Sequence, residues 1–277
     1  MRRARPYARL LIVGGALLAA GCSEASIDAA VQKVFKPRLT PQQYMLIAVS
    51  DSDPDMRREA VANVADSKEY DAEWAIKGFV AIALLESDTQ SRCVAIRALA
   101  QTDDRRAVET ALKILNHEDY PPQEVRPPDE LCRWDAMTAL GDLVQRGVVP
   151  EESRLVARDT MIMHLLEDDS RHVRTAAARG LALFRDRDAL DALIAGLADR
   201  EFPVVHQCEL SLVALTGETF DCDPYRWKQW LEQHEADPFA RAGYIPESRR
   251  APYDGRMSKA WYETKQFFRW AFPGAKE

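Results

Sequence analysis

An all-α, right-handed solenoid of about five stacked helix pairs, closed by a C-terminal capping helix, is the fold this 277-residue sequence predicts. Three observations carry that prediction. The first is a recurring spacing: Asp53, Arg57, Ala60 and Val64 return as Asp88, Arg92, Ala95 and Leu99, and again as Asp129, Arg133, Ala136 and Leu140. A fourth copy, with Asp169 one place early, runs through Arg174, Ala177 and Leu181, and a degenerate fifth lies near Val205, His206 and Val213. The second is the interval. The keying arginines stand 35, 41 and 41 residues apart, within the range of units that each contribute one pair of helices to a stack. The third is that apolar residues recur at helical spacing, with no competing strand alternation.

The elements follow in order. A short helix over 26–35 leads to Pro37, and Pro41 opens a helix through Tyr44, Leu46, Ile47 and Val49. After a turn over 50–53, Pro54 suits the first turn of a second helix ending near Ala65, because the N–H that proline lacks has no partner there in any case. The second pair spans 70–85 and 89–100; Trp74, Ile76, Phe79, Val80, Ala83 and Leu84 give its first helix an apolar face. The third pair begins over 104–115. It is interrupted by 117–128, whose four prolines force an extended excursion, and resumes over 131–145. Insertions of this kind project from one face of a solenoid, often the binding face. The fourth pair covers 152–166 and 171–184, and the fifth 187–198 and 203–215.

Thr216-Gly217 ends the fifth pair, and Phe220, Pro224, Tyr225, Trp227, Trp230 and Leu231 open a new helix. A solenoid's last repeat would otherwise leave its apolar side in water, so an atypical aromatic helix reads as a cap. After Pro238 the chain is irregular until 256–272, a final helix bearing Trp261, Tyr262, Phe267, Phe268, Trp270 and Phe272. It either folds back on the solenoid or lies in a membrane interface.

With paired helices before it and alanines or valines after it, the Asp-x-x-x-Arg-x-x-Ala spacing resembles HEAT repeats, especially the HEAT-like repeats of bacterial proteins, over roughly 40–235. The resemblance implies an aspartate at the turn between the two helices and an arginine on the second. Asp53, Asp88 and Asp129 would then form a polar ladder with Arg57, Arg92, Arg133 and Arg174 between neighbouring repeats. The stretch 215–220, with Asp223-Pro224, Trp227 and Trp230, resembles the end of envelope HEAT-repeat proteins of planctomycete-like bacteria. A row of arginines could also be a phosphate track; an aspartate four residues earlier, five for Arg174, gives each a local counter-charge, and the structural ladder is preferred.

At the N-terminus Arg2, Arg3, Arg5 and Arg9 precede the apolar run 10–20, which ends in small residues at Gly21-Cys22. This is the pattern of a secretory signal, and the run is shorter than the roughly 20 apolar residues a spanning helix needs. Leu18-Ala19-Ala20-Gly21-Cys22 resembles the lipobox of bacterial lipoproteins, although Ala19 stands where leucine is more usual. That resemblance implies lipidation of Cys22 and an exported chain held to an envelope membrane without a spanning helix. Ser23, not Asp, follows the cysteine, so by the same resemblance inner-membrane retention is not signalled. The organisation expected is a leader over 1–21, a tether and short helix over 22–39, the capped solenoid over 40–235 and a tail over 236–277.

Removing the leader takes away four of 37 basic residues and none of 44 acidic ones, moving the formal charge from −7 to −11. So acidic a chain disfavours nucleic acid and anionic lipid headgroups. It also argues against base excision on a basic HEAT-like scaffold. Besides Cys22 there are Cys93, Cys132, Cys208 and Cys222, with no C-x-x-C pair. Cys93, Cys132 and Cys208 read as small buried core residues, though cysteines on neighbouring repeats could pair in an oxidising compartment. His117-Glu118 and His234-Glu235 are not at equivalent repeat positions, unlike the His-Glu pairs of the HEAT-repeat hydroxylase that modifies a translation factor. His164, His172 and His206 read as surface or boundary residues without a nucleophile beside them. No catalytic residue, metal or cofactor is expected. The expected function is a membrane-anchored scaffold that binds an envelope protein; the alternative is a lyase-type or other enzyme subunit built on such repeats, although the pigment partners of the bilin lyases belong to photosynthetic cytosol.

Overall fold

The computed structural model describes residues 39–117 and 130–246. The leader, Cys22, Asp129, nearly all of the proline-rich excursion and the aromatic stretch 256–272 lie outside the described residues. The described residues fold as eleven α-helices and no strand.

Five antiparallel pairs follow one another: α1 (Pro41–Ser50) with α2 (Pro54–Ala65), α3 (Glu73–Leu85) with α4 (Thr89–Ala100), α5 (Arg105–Leu115) with α6 (Glu130–Gln145), α7 (Glu151–Glu167) with α8 (Arg171–Leu181), and α9 (Arg187–Gly196) with α10 (Phe202–Thr216). A single helix, α11 (Pro224–Gln233), closes the row. Local chemistry sets these starts. Thr40 and Gln43 form a reciprocal capping box on α1. Asp53, Asp88, Asp104, Ser170, Asp186 and Asp223 each accept a backbone N–H of the first turn they precede. Each such cap satisfies one of the donors a helix start leaves without a partner, at about 1 kcal/mol.

The pairs stack into two layers. The second helices of successive pairs, α2, α4, α6, α8 and α10, pack extensively on one another, whereas α1, α3, α5, α7 and α9 touch their counterparts less. Small residues allow the closer spacing. Ala60, Ala95, Ala98, Ala136, Ala139, Ala177 and Ala178 are buried along the second helices, and a Cβ placed on Gly141 of α6 would lie 3.8 Å from the Gly180 backbone of α8. A stack whose two layers are unequally spaced bends toward the tighter one, so the second helices form the inner face. Between the layers runs one continuous apolar core, from Met45 and Ala48 through Phe79, Leu99, Ile114, Met137, Leu140, Met161, Leu165, Leu181 and Leu193 to Leu212, Trp227 and Leu231.

The core ends under α11. Gly217 terminates α10 at φ +74°, a left-handed conformation open to glycine, and a Cβ there would run into the Arg241 backbone. The returning chain is pinned by Gly243 N–H donating to the Ala214 carbonyl at 2.9 Å. Trp227 is wholly buried, edge-on to Phe220 at 4.8 Å and to Trp230 at 5.8 Å. What fixes it is Glu209 of α10, a fully buried carboxylate on the last inner helix. It accepts from Trp227 Nε1 at 2.7 Å, Thr219 Oγ1 at 2.6 Å, and the backbone N–H groups of Phe220 and Cys222 at 3.2 Å. The sequence contains no repeat counterpart that would single out Glu209.

Replacing Glu209 with Ala leaves those four donors in an apolar interior. The expected loss is about 3 kcal/mol or more, read as a fall of roughly 6–12 °C in the thermal midpoint. Glu209→Gln, which keeps one acceptor oxygen, should lose roughly half as much.

Candidate functional site

Two sets of residues could carry function: the arginine row at the turns inside each pair, and the exposed stripe of the inner helices. The arginines are fully engaged in structure. Arg57 donates to both oxygens of Glu86 at 3.0 and 3.1 Å and to the Asp51 carbonyl at 2.9 Å. Arg174 donates to both oxygens of Asp199 at 2.7 and 3.1 Å and to the Asp168 and Asp169 carbonyls at 2.7 and 3.0 Å. Arg133 forks onto Asp168 at 2.9 and 3.1 Å. Arg92, wholly buried, donates to the Ala83 carbonyl at 2.9 Å.

Each fork thus bridges a second helix to the turn of the next pair, and the carboxylate it meets differs from the expected one. Asp53 and Asp88 do not face the arginines of the ladder; they are N-caps of α2 and α4. The acids that receive the guanidinium groups, Glu86, Asp168 and Asp199, stand two residues before the N-cap, where each also accepts the N-cap backbone N–H at 2.8–3.0 Å. The reason is reach. A carboxylate bent back onto its own first turn cannot span to the neighbouring repeat, whereas one at the end of the preceding helix points across the gap. A signal was present in the sequence: Asp51, Glu86 and Asp168 each precede an arginine by six residues.

His164 corrects a second expectation. It is buried, not at the surface: Nδ1 lies 2.8 Å from Asp168 Oδ2 and Nε2 lies 3.1 Å from the Leu115 carbonyl. Asp168 therefore joins α6, α7 and α8 at one point, and α5 through His164. Burial raises its pKa, but hydrogen bonds from His164, Arg133 and the Ser170 N–H outweigh it and hold the carboxyl well below its ordinary value. Glu86 is also held low: burial opposes ionisation, while the Asp88 N–H and Arg57 favour it.

The inner face is chemically different. Its polar and aromatic side chains form cross-links from helix to helix: Arg58 to Gln90, Arg97 to Asp135 at 3.6 Å, Trp134 against His172 with ring centroids 5.2 Å apart, and Arg171 to Glu201 at 3.8 Å. Leu131, Trp134, Phe202 and Leu210 leave large apolar surface exposed; Trp134 is 41% exposed and Phe202 71%. One groove, lined by Arg58, Gln90, Cys93, Arg97, Leu131, Trp134 and Asp135, runs between α4 and α6. A second, richer in charge, lies past α6 among Glu130, Arg171, His172, Arg200 and Glu201. Trp134 stands between them. His172 and His206 are exposed, each against an aromatic ring; His234 stacks on Trp230 at 4.7 Å. Among the described residues no group of three His, Cys, Asp or Glu is arranged to hold a metal ion, and no helix is long and apolar enough to cross a membrane.

Residues 173–199, from α8 through α9, match the family model of the PBS lyase HEAT-like repeat. That segment is similar to a HEAT-like repeat. The matched unit runs from the second helix of one pair into the first helix of the next, so it contains the Arg174–Asp199 fork that joins the two repeats. A crystal structure of an engineered protein from the Northeast Structural Genomics Consortium is similar, with 18% sequence identity and a TM-score of 0.48 over 73% of this chain and 94% of that one. No curated protein matches the sequence. In this solenoid the forks belong to repeat stacking, and the inner helices carry an exposed stripe of apolar and charged side chains.

Because the Asp168 carboxyl titrates lower in the folded chain than in the unfolded one, its contribution to stability is present above the unfolded value. It is lost as pH falls from about 4 downward. Asp168→Asn should therefore cost about 3 kcal/mol at neutral pH by leaving Arg133 without a buried counter-charge. The variant and the parent should converge progressively as acid unfolding is followed below about pH 4.

Proposed function

We propose that this HEAT-like chain is a lipid-anchored scaffold of a bacterial cell envelope that binds a partner protein on its inner face and performs no catalysis. The supports are of two kinds. The arginine-led apolar leader and Cys22 support export and lipidation, and the acidic charge left after cleavage disfavours nucleic acid as the partner. The observation that carries the binding reading is Trp134: a large side chain, exposed on an extended face, with Leu131 beside it and Arg97 and His172 near. Tryptophan and arginine dominate the energetics of protein interfaces because they bury large areas at small entropic cost. A fitting partner presents an apolar side chain to Trp134 and Leu131, with a carboxylate near Arg97.

Two measurements test the proposal. Mass analysis of the mature N-terminus should find a diacylglyceryl Cys22; a leaderless chain starting at any other residue sinks the anchor. Crosslinked affinity capture from membranes should recover a defined protein in stoichiometric yield. Trp134→Ala should weaken its capture at least tenfold, as for a residue worth about 2 kcal/mol, with the thermal midpoint unchanged. Equal capture by the variant would place the binding surface elsewhere.

A further inference from the structure

We propose that Cys93 and Cys132 are joined by a disulfide that staples the second helix pair to the third. The inference rests on the export reading above, because only an oxidising compartment sustains such a bond. The two residues sit on adjacent inner helices, α4 and α6, each next to an arginine of the turn row, Arg92 and Arg133. Both are buried, and their Sγ atoms are 3.9 Å apart. A disulfide needs the sulfurs at about 2.05 Å, so closure asks for a movement on the scale of side-chain rotation. Ala95 and Ala136 on the same two helices are fully buried, and their small side chains let the two backbones approach. Cys208 is also buried, but on α10, away from this pair.

The packed state also dictates when the bond forms. In the folded chain the Cys93 thiol is pushed far above its ordinary value by the hydrogen bond with Cys132 and by burial. Asp135 faces it as well, itself raised by burial despite Arg97. A thiol so held supplies almost no thiolate for exchange. Cys132 is wholly buried and Cys93 nearly so in the packed chain, so a disulfide donor reaches both sulfurs before α4 and α6 pack, and the bridge closes then.

The chemistry is thiol–disulfide exchange with a disulfide donor, the class that includes oxidised glutathione and disulfide oxidoreductases. One cysteine thiolate attacks a donor sulfur, breaking the donor's S–S bond and giving a mixed disulfide and one donor thiolate. The second thiolate attacks the sulfur of the first, forming the Cys93–Cys132 bond and releasing the second donor thiolate. The two protons lost by the cysteines end on the two donor sulfurs. The chain is oxidised by two electrons and the donor is reduced by two. Once packed over, the bond is shielded from reductants by its burial.

Two preparations of the full chain test this. In the first, purified chain is unfolded with reductant and refolded in a mixture of reduced and oxidised glutathione. Free thiols are then alkylated and peptides mapped without reduction. The expected result is a linked peptide pair containing Cys93 and Cys132. A chain that regains its helical content with both residues alkylated overturns the proposal. In the second, chain expressed with its own leader is alkylated before lysis and mapped in the same way. A bridge in the refolded chain but not in the cellular one would count against export while leaving the bridge standing. The oxidised chain should melt roughly 5–10 °C above the reduced chain. Oxidised glutathione added to chain already folded in the reduced state should leave Cys93 and Cys132 unlinked for as long as the fold persists; rapid linkage there would refute the order of events.

Discussion

The guanidinium fork from one helix pair to the turn of the next is the interaction on which the remaining structure depends. An apolar interface between two helices is forgiving: alanines and leucines meet alanines and leucines at several offsets with little difference in energy. A buried arginine is not forgiving. Arg174 is 4% exposed, and moving it by one residue would take it from Asp199 and from the Asp168 and Asp169 carbonyls and strand a charge in the interior. Removing one partner of a buried pair costs about 3–5 kcal/mol, several times the difference between neighbouring apolar registers. The same carboxylates close their own turns by accepting the N-cap N–H. One acid therefore shapes the turn inside a pair and receives the arginine of the pair before, so local and long-range order are set by the same atoms.

The stack ends where that device stops. In the fifth pair Glu201 stands at the N-cap and Val205 occupies the position four residues on, which in the other pairs holds arginine. With no further turn to reach, a guanidinium there would have no carboxylate. The polar link moves instead to Glu209 in the middle of α10, which faces a cap and accepts from it. The direction of donation reverses: inside the solenoid α2, α6 and α8 each donate a fork to the turn of the next pair, and at the end the last helix accepts. A terminal unit thus needs a sequence unlike the repeats it closes, which is why α11 is short and aromatic.

Periodicity made the helices legible. Pro54, Thr89 and the Asp caps mark starts in the chain itself, and the observed second and fourth helices, Pro54–Ala65 and Thr89–Ala100, run over the expected residues. Legibility failed where an interaction is not periodic or where two roles compete for one residue type. Asp53 and Asp88 carry the right charge at the right interval, yet capping claims them, because the N–H groups of their own first turn are nearer than any arginine. His164 looked peripheral because a titratable side chain is ordinarily placed at a surface or boundary; inside, it is received by the Leu115 carbonyl, 49 residues away. Glu209 has no precedent along the chain and a charge that composition assigns to the surface. The Trp134 stripe was hidden for the opposite reason: an exposed tryptophan at helical spacing reads as core until the layers are known.

The division of labour between turn row and inner face also bears on which ligand the molecule can take. Arg57, Arg133 and Arg174 have their forks filled by carboxylates, so an incoming anion would first have to displace a buried ion pair. The inner face presents arginines of a different kind. Arg97 is half-exposed and meets Asp135 only at 3.6 Å, and Arg171 meets Glu201 only at 3.8 Å. Exposed pairs of this length are worth little, about 0–1 kcal/mol, and can be exchanged for a partner's carboxylate at small cost. Alternating with Trp134, Leu131 and Phe202, they make a surface that is apolar in its contact area and polar in its orientation. That is the composition of a protein interface, and the repeats supply it with a rigid support because their own charges are already spent on holding one another.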